Sequence, residues 1–589
     1  MEIAGSAERS VALRLWRRIY VFLALAAAST PWLPKWVPTQ DGPQQLRLSE
    51  FVIEMRTDPS SPLHAVYHDS LGAVTGSIFT WFCYLLHPVV GVAPAERIWL
   101  SLCIVGFAWV GWSITRIARP DAPARALLLA PFFLSGFVTS GFFPYVASVP
   151  LAAGGILLLA SRSFDKRLVD VARGILASAL LLACALAHVS SLALALGLVT
   201  IGLAVRRSPL SQVLISMLVF APALLVVAHS ARVLGVVVSS HQMPISEILE
   251  FRSPIETIGY FFVYVLAGVG SLDRGVQLVV LAFALALTLA AVVLRVQPAP
   301  VENVGDRRVI ELDLSRPMWP LGVLLLLGLA LFVLPTTIGG WHHASARIIP
   351  FMLLMLPAAT WWPSSGSLAE RRLSGLVSVA AAVVVVSIGY GWREIGEHLD
   401  HVARAASVMR RGSRVLPLVF EAGSEASPAV RDARATLELH SWAIPARLRR
   451  AMVPFGFENL RRLMLVARAD AHPPFPPGPD EFAARILWGP PPRTVRVYAD
   501  YGLEESEITD AARFILPRVA DPHFYDALRD AVLDEAFVTF HYLLAVDPPA
   551  AFRATVRGRG WPCLYDSDGV YVYELGMEAS QDSLGYVSP

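Results

Sequence analysis

Long apolar runs separated by short polar stretches dominate the first 392 residues. A membrane-spanning helix needs about 20 consecutive, mostly apolar residues. Thirteen runs approach that length: 15–32, 71–92, 98–115, 125–142, 144–161, 174–187, 189–205, 212–229, 256–272, 275–295, 318–335, 348–363 and 373–392. Several are short, and 174–205 is either one long helix or two helices broken near His188. The pattern therefore predicts an α-helical polytopic membrane protein with about 11 to 13 transmembrane helices.

The arginines predict which loops face the cytoplasm, because cytoplasmic loops carry an excess of Lys and Arg. Five arginine-bearing loops are compatible with one common side: 116–125, 162–173, 206–211, 295–316 and 364–372. This scheme requires 256–272 to be re-entrant or interfacial. The basic start of the chain reads as a retained signal anchor with a cytoplasmic N-terminus. The outer face then receives loop 33–70, the loop at 341–347 and everything after Trp392.

The chain changes character after Trp392. Charged helical stretches alternate with short runs rich in Val and Tyr, which favour strands. Predicted strands are 414–420, 494–499, 537–546 and 570–575, and the sequence Asp-Ser-Asp-Gly at 566–569 predicts a hairpin turn. Two domains are therefore expected: a transmembrane domain at 1–392 that includes outer loop 33–70, and an extracytoplasmic α/β domain at 393–589.

Composition excludes several classes of function. The chain is 55% hydrophobic and 16% charged, whereas soluble domains have about 25% charged residues, so the lipid bilayer is an expected partner. A net charge of +2 does not suggest a nucleic-acid partner. Four cysteines provide neither a disulfide framework nor a cysteine metal site. The sequence contains no glycine-rich phosphate loop, dinucleotide fingerprint or HExxH zinc motif.

Loop 33–70 carries the first candidate chemistry. Asp41 precedes a predicted short helix at 44–55, whose apolar spacing is consistent with a position on the bilayer surface. An Asp at this position can cap the helix, or it can act as a general base held by the helix-end amides. These two roles are compatible. Further along, His68 and Asp69 form either an interfacial polar cluster or a pair in which the carboxylate orients the imidazole.

Three histidines and one arginine are candidates elsewhere. Arg347 at the outer end of a span either extends to lipid headgroups or binds a phosphate through its planar fork of donors. His342 and His343 could add hydrogen bonds there, although adjacent histidines do not share a helix face. His188 interrupts an apolar run, as ionisable groups facing a bundle interior or wet cavity do. The alternative is a neutral imidazole bonded to Ser190 or to a backbone carbonyl.

This layout resembles the GT-C class of polytopic glycosyltransferases. The first helix, an outer loop that starts with an acidic residue, many spans and a C-terminal outer domain are shared features. Four short runs look like motifs of bacterial membrane proteins grouped with that class: 141–145 (Gly-Phe-Phe-Pro-Tyr), 188–191 (His-Val-Ser-Ser), 347–351 (Arg-Ile-Ile-Pro-Phe) and 439–443 (Leu-His-Ser-Trp-Ala). The resemblance implies a polyprenyl-phosphate sugar donor and assigns the catalytic base to Asp41.

The resemblance also implies a mechanism in the inner (cytoplasmic) membrane. Asp41 would deprotonate the acceptor in a single inverting displacement, with Arg347 and His342 or His343 at the departing phosphate and His68 and Asp69 on the acceptor side. The family's Asp-x-Asp pair is reduced to one Asp, so no cofactor is expected and a divalent metal stays open. No motif identifies the acceptor.

Two other functions compete with this reading. One is a non-enzymatic subunit of an envelope polysaccharide assembly or export system. The other is a polysaccharide polymerase or ligase.

Overall fold

The computed structural model forms two compact units. It describes residues 2–160 (without 62, 70, 71, 73 and 121), 167–238 (without 206), 249–296 (without 252 and 268), 319–338 (without 336), 344–363, 367–419 (without 414), 443–449, 465–467 and 541–575 (without 547, 549 and 568). The first unit comprises Met1–Leu33, Ala73–Phe82 and Pro94–Trp392; the second comprises Pro34–Gly72, Cys83–Ala93 and Arg393–Pro589.

Helices account for most of the described residues. In chain order they are α1 (Glu2–Ser29), α2 (Gly42–Thr57), α3 (Leu63–Val66), α4 (Ile78–Val90), α5 (Val92–Ala118), α6 (Gly136–Thr139), α7 (Phe143–Ala160), α8 (Arg167–Ala187), α9 (Val189–Val205), α10 (Leu210–Val238), α11 (Pro254–Val265), α12 (Ser271–Val296), α13 (Trp319–Val333), α14 (Ile349–Ala359), α15 (Leu368–Arg404), α16 (Ala443–Arg449) and α17 (Ala550–Gly558). Longer 3-10 helices occupy Pro123–Phe132 and Ser345–Ile348.

The polytopic prediction is confirmed. Within the described ranges, six helices are long and apolar enough to cross a membrane, and five more apolar helical segments are shorter. Each of the thirteen candidate runs overlaps a helical segment. The run at 174–205 is two helices, because α8 ends at Ala187 and α9 begins at Val189. Helix α11 has 12 residues, or about 18 Å, which is shorter than the roughly 30 Å hydrocarbon core of a bilayer.

The irregular backbone after α11 is stabilised by buried side chains. Gln277 accepts a hydrogen bond from the Ala267 amide (2.8 Å) and donates one to the Pro131 carbonyl (2.8 Å). Thr139 donates to the Ala267 carbonyl (2.8 Å). Non-helical backbone at membrane depth is tolerated only where protein groups satisfy it or where it lines a water-filled cavity. These bonds therefore explain how the chain can leave helical structure between α11 and α12.

Two arginines from a predicted cytoplasmic loop lie inside the first unit. Arg119 and Arg125 are only 4% and 3% exposed. Nε of Arg119 donates to the Ala358 carbonyl (3.2 Å), and Arg125 donates to the Thr360 carbonyl (2.8 Å). Both carbonyls belong to the C-terminal end of α14, where cations also complement the helix dipole. Two of the arginines that marked 116–125 as a loop on the cytoplasmic side are therefore buried against α14.

Helix α2 of the second unit differs from its prediction. It is longer than 44–55 and is not amphipathic, because its polar positions Gln44, Arg47 and Ser49 are as buried as its apolar ones. Arg47 places its guanidinium 4.6 Å from the centre of the Phe51 ring. The sequence pattern thus located the helix but did not reveal that protein covers it on all sides.

A four-stranded mixed sheet confirms the α/β character of the C-terminal region. Strands β1 (Tyr67–Asp69) and β5 (Leu465–Ala467) pair with each other, as do β2 (Leu249–Glu250) and β3 (Thr337–Ile338). The larger sheet has the order β4-β6-β8-β7, where the strands are β4 (Val415–Val419), β6 (Tyr542–Val546), β7 (Cys563–Ser567) and β8 (Val570–Glu574).

The sheet covers a small apolar core. Strands β4 and β6 are parallel, and the other pairs are antiparallel. Val402 from α15 packs against Leu544 and Val572 of the sheet. Gly569 has φ +78° in the predicted hairpin turn. Three of the four predicted strands are therefore confirmed, and the fourth, at 494–499, lies outside the described residues.

Candidate functional site

Arg347 and His188 meet inside the first unit. Arg347 lies in the 3-10 helix that leads into α14, and His188 is the single non-helical residue between α8 and α9. A terminal nitrogen of Arg347 donates a hydrogen bond to Nε2 of His188. Both side chains are partly buried. The guanidinium is therefore directed at another side chain of the bundle.

Tyr145 holds both residues in place. It lies in the first turns of α7, just after Gly141, whose φ of +73° forms the tight turn before that helix. The Tyr145 hydroxyl donates to the backbone carbonyl of Arg347. The Arg347 guanidinium lies 5.6 Å from the centre of the Tyr145 ring, within reach of a cation–π interaction. The ring also meets the His188 imidazole edge-on, at 5.4 Å.

Serine hydroxyls lie next to His188, and one of them contacts the second nitrogen of its imidazole ring. Nδ1 of His188 lies 2.8 Å from Oγ of Ser190. Ser148 and Ser191 share a buried hydrogen bond of 2.6 Å, which joins α7 to α9 one residue further along. The predicted bond between His188 and Ser190 is thus present, and it coexists with the contact to Arg347.

An aromatic wall stands next to this cluster. Phe137 lies 5.0 Å from Tyr145 and stacks on Tyr264 at 4.5 Å between ring centres. Tyr264 belongs to α11 and lies close enough to Arg347 to act on its charge. The surroundings of the guanidinium are therefore mainly aromatic. In such surroundings a bound anion would interact with the cation more strongly than in water.

Asp41 lies in the second unit, at the N-cap position of α2. It is 9% exposed, and its side chain makes no capping hydrogen bond. Asp41 therefore occupies the N-cap position that the cap alternative predicted, but its side chain does not make the predicted hydrogen bond to the helix amides. Pro43, in the first turn of the helix, is well tolerated there because the first amides have no intrahelical partner.

The chain before and after Asp41 is fixed by ion pairs. Asp400 near the end of α15 binds Lys35 (2.6 Å) and accepts a hydrogen bond from the Trp36 indole (3.1 Å). Arg447 of α16 reaches Glu50 of α2 at 3.5 Å, and its guanidinium lies 5.2 Å from the centre of the Trp36 ring. The loop that carries Asp41 is thus held at both ends within its own unit.

The remaining candidates are only partly described. His68 and Asp69 lie in β1, where their backbones pair with Val466 and Leu465. Their side chains, like all of His342 and His343, lie outside what the structure describes. Asp41, His68 and Asp69 belong to the second unit, whereas His188 and Arg347 belong to the first. Among the described residues, no group of three or more His, Cys, Asp or Glu side chains could hold a metal ion.

Sequence reasoning missed two residues of the cluster. Tyr145 belongs to the run 141–145, which was noted as a motif without any role for the tyrosine. Its position in the first turn of a helix, directly after a glycine turn, was the sequence feature that could have identified it as a residue of the cluster. Tyr264 had no comparable signal, because its contacts depend on how α11 folds back.

Comparisons with known proteins give a weak structural likeness. No protein-family model matches the sequence, and no curated protein is significantly similar to it. The crystal structure of ArnT from Cupriavidus metallidurans in the apo state is 12% identical, with a TM-score of 0.46, over 95% of this chain and 97% of that chain. The structure of ArnT from the same organism bound to undecaprenyl phosphate is 13% identical, with a TM-score of 0.39, over 96% and 98%. At this level of similarity neither structure assigns a reaction or a site residue to the chain.

Proposed function

We propose that the protein is a membrane glycosyltransferase that moves a sugar from a polyprenyl-phosphate donor to an envelope acceptor. The observation that carries the proposal is the contact between Arg347 and His188 in an aromatic part of the apolar unit. A charged side chain among transmembrane helices is costly and usually marks a substrate or ion site. A guanidinium matches a phosphate in charge and geometry. A lipid-linked phosphate is a substrate that brings this charge to the membrane.

Each candidate residue has a distinct role in this reaction. Arg347, assisted by His188 and by His342 or His343, stabilises the charge that develops on the departing phosphate. Asp41 accepts the proton of the acceptor hydroxyl as it attacks the anomeric carbon. One direct displacement inverts that carbon. His68 and Asp69 contact the acceptor, and no step is assigned to a cofactor.

The proposal includes a location. The N-terminus is cytoplasmic, the transmembrane domain covers 1–392, and the α/β domain at 393–589 is extracytoplasmic. Chemistry therefore takes place at the outer face of the inner membrane. The arginine-bearing loops at 206–211 and 364–372 support this orientation.

The direct test is transfer of labelled sugar from a polyprenyl-phosphate donor by the purified protein in lipid nanodiscs. We expect Asp41→Asn to lower the rate about 10²- to 10⁴-fold, the usual contribution of a general base. Arg347→Ala should lower it about 10²- to 10³-fold, as loss of a stabilising donor does. The matched control is Arg393→Ala, since this arginine is exposed and forms an ion pair with Glu397 on its own helix.

Two outcomes would contradict the proposal. Transfer that survives both Asp41→Asn and Arg347→Ala would show that the site is assigned wrongly. Wild-type protein that neither binds polyprenyl phosphate nor transfers sugar would favour the non-enzymatic subunit instead.

A further inference from the structure

The contact between Arg347 and His188 determines where the imidazole proton lies. A guanidinium has five N–H donors and no acceptor. Nε2 of His188, which receives a hydrogen bond from Arg347, must therefore present its lone pair. A neutral imidazole carries its proton on one nitrogen only. The proton is thus on Nδ1, which donates to Oγ of Ser190 at 2.8 Å.

The other neutral tautomer, which carries its proton on Nε2, is excluded because Arg347 offers only hydrogen-bond donors. The Ser190 amide lies 3.2 Å from Nδ1 and would be satisfied if Nδ1 were the acceptor. That arrangement would place an Nε2–H against an N–H of Arg347, so that two donors would face each other. An imidazolium has the same conflict and adds a second positive charge. In this contact His188 is therefore neutral and serves as the acceptor for Arg347.

We propose that His188 takes up a proton when a polyprenyl phosphomonoester occupies this site, and that it then donates Nε2–H to the phosphate beside Arg347. This inference rests on the proposed function. An anion next to Arg347 gives the guanidinium a better acceptor than Nε2, which frees the nitrogen. The same anion removes the penalty for two adjacent cations, because an opposite charge favours the protonated imidazole.

The charges of the reaction make this change useful. The sugar donor is a phosphodiester with one negative charge. When its sugar C1–O bond breaks, the electron pair stays on the phosphate oxygen and the product becomes a phosphomonoester with close to two charges. The proton of the acceptor hydroxyl leaves through Asp41 to water. His188 takes one proton from water, so the second positive charge forms where the second negative charge forms.

Among the described residues, the other titratable side chains near the pair are two tyrosines and a cysteine. Tyr145 on α7 and Cys184 on α8 face the cluster, and Tyr264 on α11 lies close to Arg347. Tyrosine and cysteine normally lose their protons only above about pH 8. The side chain of Ser190 does not titrate. Histidines such as His342 and His343 and the phosphomonoester itself also ionise near neutral pH, so only the proton uptake that is lost in His188→Gln is assigned to His188.

The test is calorimetric binding of a short-chain isoprenyl phosphate to the full-length protein, in buffers that differ in ionisation enthalpy. At about pH 7.5, where a free imidazole is mostly neutral, wild-type protein should take up about one proton more per ligand than His188→Gln. The Gln side chain keeps an acceptor for Arg347 but cannot be protonated. Relative to this variant, the wild-type affinity should fall about tenfold per pH unit above neutrality, as linkage to one proton requires.

Controls separate this inference from the proposed function. The corresponding sugar phosphodiester carries a single charge and should bind with clearly less proton uptake. His188→Asn serves as a second neutral variant if His188→Gln is not monodisperse in size-exclusion chromatography. Equal proton uptake by wild type and either variant would overturn the inference while lipid-phosphate binding remained. Absence of isoprenyl phosphate binding to folded wild-type protein would overturn both.

Discussion

Gly136 is the position where one added methyl group should damage both stability and activity. It is the first residue of α6 and faces the C-terminal end of α11. A Cβ built there would lie 2.4 Å from the Val263 carbonyl oxygen and 2.8 Å from Cα of Tyr264. Both atoms belong to the backbone, so no rotamer change can relieve the contact. Reaching ordinary van der Waals distance requires the end of α11 to move by about 1 Å.

The size of the effect follows from two opposing terms. Overpacking of this kind costs about 1–3 kcal/mol, whereas replacing a helical glycine by alanine returns at most about 1 kcal/mol. The difference between the two terms predicts that Gly136→Ala destabilises the first unit by up to about 2–3 kcal/mol. It should also displace Tyr264 relative to Arg347, and a 1 Å displacement in a binding site can cost on the order of 10²-fold in rate.

Gly202→Ala is the matched control. Gly202 lies inside α9, and a Cβ there would meet nothing within 4 Å. That variant should be stabilised by up to about 1 kcal/mol. The measurements are unfolding in a denaturing detergent and sugar transfer at saturating acceptor. If Gly136→Ala were as stable and as active as Gly202→Ala, the close approach of α6 to α11 would not be a constraint on the fold.

Three other expectations concern buried polar groups and topology. Replacing Arg119 or Arg125 by Gln should destabilise the protein by about 1.5–3 kcal/mol each, because each change removes a hydrogen bond from a charged donor. Variants that unfold in detergent at the same point as the wild type would contradict this expectation. Gln277→Leu should cost about 1–3 kcal/mol, because it removes the partner of one buried amide and one buried carbonyl; hydrogen exchange should show the Ala267 amide opening. Cys563 is exposed, while the other three cysteines are buried. A membrane-impermeant maleimide added to spheroplasts should therefore label wild-type protein, and it should not label a double variant that combines Cys563→Ser with Ser208→Cys; the reverse pattern would invert the proposed orientation. Burial and the neighbouring Asp566 carboxylate raise the pKa of Cys563, and since the thiolate is the reactive form, labelling should still accelerate from about pH 7 to pH 9.

Features that depend on local composition could be predicted from the sequence. Apolar runs located the helical segments, His188 marked the break between α8 and α9, and Val and Tyr marked β6 and β8. In each case the physical cause lies within a few residues: apolar length for a membrane helix, and branched or aromatic side chains for a strand.

Features that depend on tertiary packing could not be predicted. In the sequence, Arg119 and Arg125 look like loop residues. In the structure they are buried, because they donate hydrogen bonds to the carbonyls of Ala358 and Thr360 at the C-terminal end of α14. Helix α2 looks amphipathic over 44–55, yet α16 and other parts of its unit cover its polar side. For the candidate site, the sequence named Arg347 and His188 separately. Their hydrogen bond required knowing how two segments about 160 residues apart pack together.

The second unit is discontinuous in sequence, and this has a consequence for its synthesis. Its parts are Pro34–Gly72, Cys83–Ala93 and Arg393–Pro589. Glu50 of α2 is translated long before its partner Arg447. At about 5–20 residues per second, roughly 20–80 s separate the two.

During that interval α2 has left the ribosome, but the partner helix that covers it does not yet exist. Phe51 and Val52 of α2 are fully buried in the finished protein, and α16, which packs on that helix, is not yet available to cover it. The nascent chain is thus exposed to proteolysis and to wrong contacts early in its production. Synthesis of α16 ends that exposure, so a helix made about 400 residues later covers the helix that follows Asp41.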